Sequence, residues 1–187
     1  MWQEYSVTSL PAEYSNNGLG YRSGHFGKWH LGTLTTTIDD SNRGGPGSEG
    51  VYSPPWENGF DVCYSTEAKV PTWDPIYNVG TTTFYGTRYW TAEDTFVPID
   101  SQELRGDDSR VMMDQAIPFI RDSVSKNKPF LAVIWFHTPH LPVAAGPEYK
   151  AMYSQYSSDK QNYYGCITAM DDQVGRLREE LTRISHQ

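Results

Sequence analysis

Residues 20–32 read GYRSGHFGKWHLG and alternate as a strand does. Tyr21, Ser23, His25, Gly27 and Trp29 share one face, while Arg22, Gly24, Phe26, Lys28 and His30 share the other. A second strand is predicted over residues 130–136, where FLAVIWF is continuously apolar between Pro129 and a polar turn; such a run fits a central parallel strand buried on both faces. A shorter strand is expected over 59–64. A helix begins near Ser109, where Asp107 and Asp108 supply capping oxygens and negative charge at the positive end of the helix dipole. Met113, Ile117, Ile120 and Val124 line one of its faces, Pro118 should kink it, and Lys126-Asn127-Lys128-Pro129 ends it. A final helix spans 159–184, capped by Ser157 or Ser158, with Tyr163, Ile167, Met170, Val174, Leu177 and Leu181 as one core-facing stripe. Arg176, Arg178, Glu179, Glu180 and Arg183 fill its solvated face.

The segments between these elements are polar. Residues 1–19 carry Thr8, Leu10, Ala12 and Tyr14 at no clean helical period and close on Asn16-Asn17-Gly18, a weak helix ended by a turn. Residues 33–58 form a long loop rich in Thr, Gly, Ser, Asn and Pro, and a Thr-, Tyr- and Gly-rich stretch runs on to about residue 100. A helix leading straight into a buried strand is the mark of an α/β sandwich. Its C-terminal end delivers His137-Thr138-Pro139-His140-Leu141-Pro142 to the place where open α/β sheets bind ligands.

Composition narrows the class. The 187 residues suffice for one domain or a piece of one, and a 37% hydrophobic share with six Trp and thirteen Tyr is globular. A formal net charge of −8 without clustered Lys and Arg argues against a nucleic-acid surface, so a polyanionic substrate needs a local basic site. No run approaches the length of a membrane span. The start, Met1-Trp2-Gln3-Glu4-Tyr5-Ser6, shows no basic region followed by an apolar one, so no signal peptide is visible. Cys63 and Cys166 leave the redox compartment open and read as buried small hydrophobes.

Lys28 and His30 point the same way, about 6.6 Å apart along the strand, so an ammonium and an imidazole can converge on one small anion. From spacing alone, a solvated edge strand is the better explanation of them. His25, on the opposite face, reads as structural. His30, His137 and His140 are the groups that titrate near neutral pH and can donate a proton.

Gly27-Lys28-Trp29-His30-Leu31-Gly32, opened by Gly20-Tyr21, resembles the second family motif of the sulfatases, and Pro139-His140-Leu141-Pro142 resembles their later Pro-His-x-Pro turn. The resemblance implies an alkaline-phosphatase-like α/β sandwich with a mixed, mostly parallel sheet flanked by helices, and hydrolysis of aryl or carbohydrate sulfate esters. It places Lys28, His30 and His140 at the sulfate as catalytic groups, adds His137, Trp73 and Asp74 as substrate contacts, and makes 33–100 a loop-rich insertion that shapes the pocket. The family nucleophile, a formylglycine made in Cys/Ser-x-Pro/Ala-x-Arg, has no match: Cys63 precedes Tyr64-Ser65-Thr66-Glu67, and Cys166 precedes Ile167-Thr168-Ala169-Met170. The calcium that the family binds has no assignable ligand here, since Asp39-Asp40 follows a loop, Asp107-Asp108 resembles a cap and Asp171-Asp172 lies mid-helix.

The chain is therefore expected to be an interior fragment of a sulfatase catalytic domain, spanning 1–187 and inactive alone. Its partner is a sulfated small molecule or glycan, with neither nucleic acid nor membrane involved. Unpaired strand edges favour self-association. The family is often periplasmic or extracellular. A noncatalytic anion- or sulfated-glycan-binding remnant and a phosphatase or phosphonate hydrolase of the same superfamily are the alternatives.

Overall fold

A computed structural model describes residues 20–185; the weak helix expected over 1–19 lies outside them. The strand from the glycine-rich motif forms as β1, Arg22–Lys28. It pairs in parallel with β2, Val62–Thr66, and on its other side with β5, Phe130–Trp135. The loop-rich stretch contributes two strands that its composition concealed, β3 (Tyr89–Ala92) and β4 (Thr95–Phe96), joined antiparallel through Glu93 and Asp94. β3 runs antiparallel to β2, and the sheet order is β4-β3-β2-β1-β5.

The apolar run 130–136 is thus a parallel strand, but it stands at the edge of the described sheet instead of the centre. Its residues are half-buried and Trp135 is 40% exposed. Continuous hydrophobicity reported two faces that could be covered; the described residues cover mainly one, where Phe130, Ala132 and Ile134 pack on the principal core.

Helix α1 spans Asp108–Ser125 and is capped by Asp107, whose side chain accepts from the Arg110 backbone N–H at 2.9 Å. Val111, Met113, Ala116, Ile117, Phe119 and Ile120 lie buried against Phe26, Tyr64, Val70 and Tyr89. The helix continues through the exposed Pro118, whose missing N–H falls on the solvent side. A short helix, α2 (Pro147–Ala151), precedes α3, Ser158–Ser185.

On α3 the stripe facing the core differs from the one expected. Cys166, Ala169 and Glu180 are buried and Leu177 packs on the core, whereas Tyr163 (44%), Val174 (36%) and Leu181 (40%) remain exposed. Glu180 is drawn inward because Arg121 grips it with two bonds, Nε to Oε1 at 2.7 Å and Nη2 to Oε2 at 2.6 Å, while Arg183 adds a third contact. A bidentate guanidinium supplies the bonds that an inward-turned carboxylate requires. Hydrophobicity alone did not see this polar anchor. Among the described residues, no helix is long and apolar enough to cross a membrane.

Candidate functional site

β1, β2 and β5 are mutually aligned, so their C-terminal ends meet at one edge of the sheet, with Lys28 beside Thr66 and Gly27 beside Trp135. Lys28 closes β1. Trp29, next along, is buried; its Nε1–H donates to the Ser53 carbonyl at 2.7 Å, and its ring stacks 5.9 Å from Trp135. His30 then adopts a positive φ of 54° and emerges exposed, its carbonyl accepting from Arg43 Nη1 at 3.1 Å. The anchored indole between them fixes how the Lys28 and His30 side chains leave the sheet.

Lys28, His30 and His140 line a single cavity of about 540 Å³, together with Ser41, Asn42, Ala68, Lys69, Tyr85, Gly86 and Thr87. Burial, and then the nearby positive charges of Lys28, Arg43 and His140, hold the His30 imidazole below its ordinary pKa. That pattern is the signature of cations gathered around a space, in a chain whose net charge is −8. An entering anion would offset these charges and favour protonated His30.

His140 sits in the turn after β5, exposed, with its backbone N–H donating to the His137 carbonyl at 2.7 Å. Its Nδ1 lies 2.7 Å from the Leu141 carbonyl, which can only accept. Nδ1 therefore carries a proton, and Nε2 is the nitrogen free to pass one to a leaving oxygen.

The cavity wall opposite this turn is stapled by Asp40. Its Oδ1 accepts from the Arg88 backbone N–H at 2.9 Å and from Arg88 Nη1 at 3.2 Å, and Oδ2 accepts from Trp90 Nε1 at 2.7 Å. Ser41 N–H also donates to the Gly86 carbonyl. The segment carrying Ser41 and Asn42 is thereby tied to the one carrying Gly86 and Thr87. Burial pushes the Asp40 carboxyl up to about 7 despite these donors.

The other residues expected at the site are placed elsewhere. His137 is fully buried, with Nε2 2.7 Å from Thr66 Oγ1 and Nδ1 2.7 Å from Asp108 Oδ2. The ring of Trp73 lies against Gly146, and its backbone bridges to Asp107. Asp74, at a φ of 49°, donates its N–H to the Gly106 carbonyl at 2.8 Å and accepts from the Gly106 N–H at 2.7 Å. None of the three lines the cavity. His25 is buried, bonded through Nδ1 to Ser65 Oγ at 2.7 Å and surrounded by Trp29, Phe60 and Trp135; burial lowers its pKa to about 3 and keeps it neutral.

Sequence reasoning missed Arg43, Lys69, Tyr85 and Thr87. They sit in loops without periodicity, and only the fold carries them to the ends of β1 and β5.

The described residues do not fit the calcium that the family resemblance implies. No group of three or more His, Cys, Asp or Glu among them could hold an ion, and the Asp40 and Asp108 carboxylates are already occupied by protein donors. Cys63 and Cys166 are free and buried, and burial raises their thiols to about 12 and about 11.

A family model described as Sulfatase matches residues 7–186. The chain is 25% identical over 183 residues to the uncharacterized sulfatase YdeN of Escherichia coli (strain K12), covering 94% of this chain and 30% of that protein. It is 25% identical over 185 residues to the ulvan-active sulfatase of Formosa agariphila, covering 87% of this chain and 30% of that one. The solved structure of PsFucS1 sulfatase from Pseudoalteromonas sp. superposes with a TM-score of 0.62 at 20% identity, covering 95% of this chain and 35% of that one. The chain thus spans about a third of the length of these proteins.

Proposed function

Since the chain belongs to the sulfatase family, we propose that its cavity is the sulfate-holding part of a sulfuric ester hydrolase site acting on aryl or carbohydrate sulfates. The observation that carries this reading is the convergence of Lys28, His30 and His140 on one cavity, with Arg43 behind His30. Lys28 supplies a fixed charge to the sulfuryl oxygens, where a preorganised cation stabilises developing negative charge by several kcal/mol. His140, with Nδ1–H committed to Leu141, protonates the leaving oxygen through Nε2. His30 takes up a proton as the anion enters and adds a donor to it.

The reading assigns the formylglycine nucleophile and a calcium ion to parts of the whole protein outside these 187 residues, so this chain binds the anion but does not turn it over. The outer edge of β5, which pairs with no strand among the described residues, makes self-association its expected state at high concentration.

Calorimetric titration of the chain with inorganic sulfate and with an aryl sulfate tests both halves. Saturable binding weakened at least tenfold by Lys28→Ala, with no release of the aryl alcohol, is the expected result. Turnover by pure material would overturn the assignment of the nucleophile to another segment. Absence of binding would overturn the sulfate site itself, and tighter binding of phosphate than sulfate would favour the phosphoryl branch of the superfamily.

A further inference from the structure

We propose that His137 is a positioning residue for this site: its imidazole, locked between Thr66 and Asp108, holds the turn that presents His140 to the cavity. The proposal rests on the sulfate reading for its effect on affinity and on geometry alone for its effect on His140.

His137 cannot touch a ligand. Its side chain has no exposed surface, and both ring nitrogens are taken, Nε2 by Thr66 Oγ1 and Nδ1 by Asp108 Oδ2, each at 2.7 Å. The Thr66 contact reaches across the sheet, and the Asp108 contact ties the ring to α1. Thr66 ends β2, His137 follows β5, and β1 with its terminal Lys28 lies between them. The ring therefore crosses the end of β1 and fixes the β5 exit relative to the strand that carries Lys28.

Each partner is itself held. Thr66 Oγ1 donates to the Ala68 carbonyl at 2.7 Å, and Ala68 lines the cavity. Asp108 is fully buried in the first turn of α1, where the helix dipole favours a carboxylate, and its Oδ1 accepts from Tyr89 of β3. From this clamp to His140 the path is short, because the His137 carbonyl accepts the His140 N–H at 2.7 Å and so closes the turn. A ring that can neither rotate nor withdraw sets the carbonyl, and the carbonyl sets the start of His140. Among the described residues the His140 side chain makes no comparable tie, its Nδ1 lying 2.7 Å from the carbonyl of its neighbour Leu141.

Asp108 is a poor place to test this, since removing it leaves the buried His137 and Tyr89 without their shared partner, which is destabilising in itself. Thr66 offers a milder change. In the 187-residue chain with isotope-labelled histidine, Thr66→Val should shift and broaden the His140 ring resonances in the absence of any anion, and Thr66→Ser, which restores the hydroxyl, should return them to their wild-type positions. Sulfate affinity should fall by about tenfold in Thr66→Val, roughly the worth of one such bond, and should not fall further when the same change is made in a His140→Ala background.

Unmoved His140 signals in folded Thr66→Val overturn the proposal. So does a tenfold loss that persists in the His140→Ala background, because the clamp would then act through something other than His140. If the unmutated chain shows no sulfate binding, the sulfate reading fails by itself, and the ring resonances of Thr66→Val and Thr66→Ser still decide the clamp.

Discussion

Gly27→Ala should be the most damaging single-methyl change in the site region. Gly27 lies in β1 with φ at +108°, and a Cβ placed there would stand 2.1 Å from the Trp135 carbonyl oxygen and 2.7 Å from Met112 Sδ. Two costs combine. Forcing an L-residue to positive φ costs about 1–2 kcal/mol, and overpacking typically costs about 1–3 kcal/mol. The nearest atom here is backbone on the neighbouring strand, so no rotamer change relieves it. Together these give a loss of about 2–5 kcal/mol, enough to consume much of a small domain's stability.

Gly47→Ala isolates the first cost. Gly47 has φ at +91°, and an added Cβ there meets nothing within 4 Å; that variant should lose only about 1–2 kcal/mol. Urea unfolding followed by tryptophan fluorescence measures both through the midpoint and slope. Gly27→Ala should also weaken sulfate binding, because β1 must move away from β5 to admit the methyl and carries Lys28 with it. If Gly27→Ala is no more destabilising than Gly47→Ala, the close approach of the strands is not what makes this glycine necessary.

Three further outcomes are expected. Asp40 and Asp107 are both pushed up to about 7, burial being the larger cause in each; a folded state that holds protons more tightly than the unfolded chain loses stability as pH rises from about 4 to 7. Thermal melts should show that decline, at less than about 1.4 kcal/mol per pH unit for each group, and Asp40→Asn should flatten it; a melting temperature that climbs across this range would contradict the assignment. Saturating sulfate should raise the pKa of His30, read from its ring protons by NMR, because the bound anion offsets Lys28, Arg43 and His140; an unchanged titration would place the anion elsewhere. Cys63 and Cys166, with thiols raised to about 12 and about 11, should react with a disulfide reagent far more slowly in the folded chain than in urea; equal rates would mean that the described core opens readily.

The structure agrees with several readings made from period or motif. The alternation of residues 20–32 gives β1, the apolar run gives β5, and α1, capped by Asp107, starts at Asp108, one position before the predicted start. The family and its α/β fold were legible in Gly27-Lys28-Trp29-His30-Leu31-Gly32. Long-range polar pairing was not legible. The stripe expected on α3 holds at Leu177 but leaves Tyr163, Val174 and Leu181 exposed, while Glu180, read as solvated, is covered by a bidentate Arg121; β3 and β4 went unseen because Tyr89-Trp90-Thr91-Ala92 is too short and too polar in context to announce a strand. Trp73 and Asp74 stand out chemically but serve the 72–74 and 106–107 junction, while Lys69 and Tyr85 carry no local mark and line the cavity. His137 and His140 lie three residues apart in one turn, yet one is sealed in the interior and the other opens to solvent. The register of β5 against β1 and the bond from His137 to Thr66 of β2 separate their fates.

That same register decides when the cavity can exist. Arg22 pairs with Phe130, although most of the chain lies between them. During synthesis Lys28 and His30 leave the ribosome early and wait through the whole loop-rich stretch before β5 and then His140 arrive. Non-local parallel pairing of this kind is slow, since the entropy of closing a long loop is lost before any contact repays it. An anion that bridges Lys28 and His140 would therefore recognise only chains in which β5 has docked on β1, and the appearance of sulfate affinity would serve as a clock for that docking event.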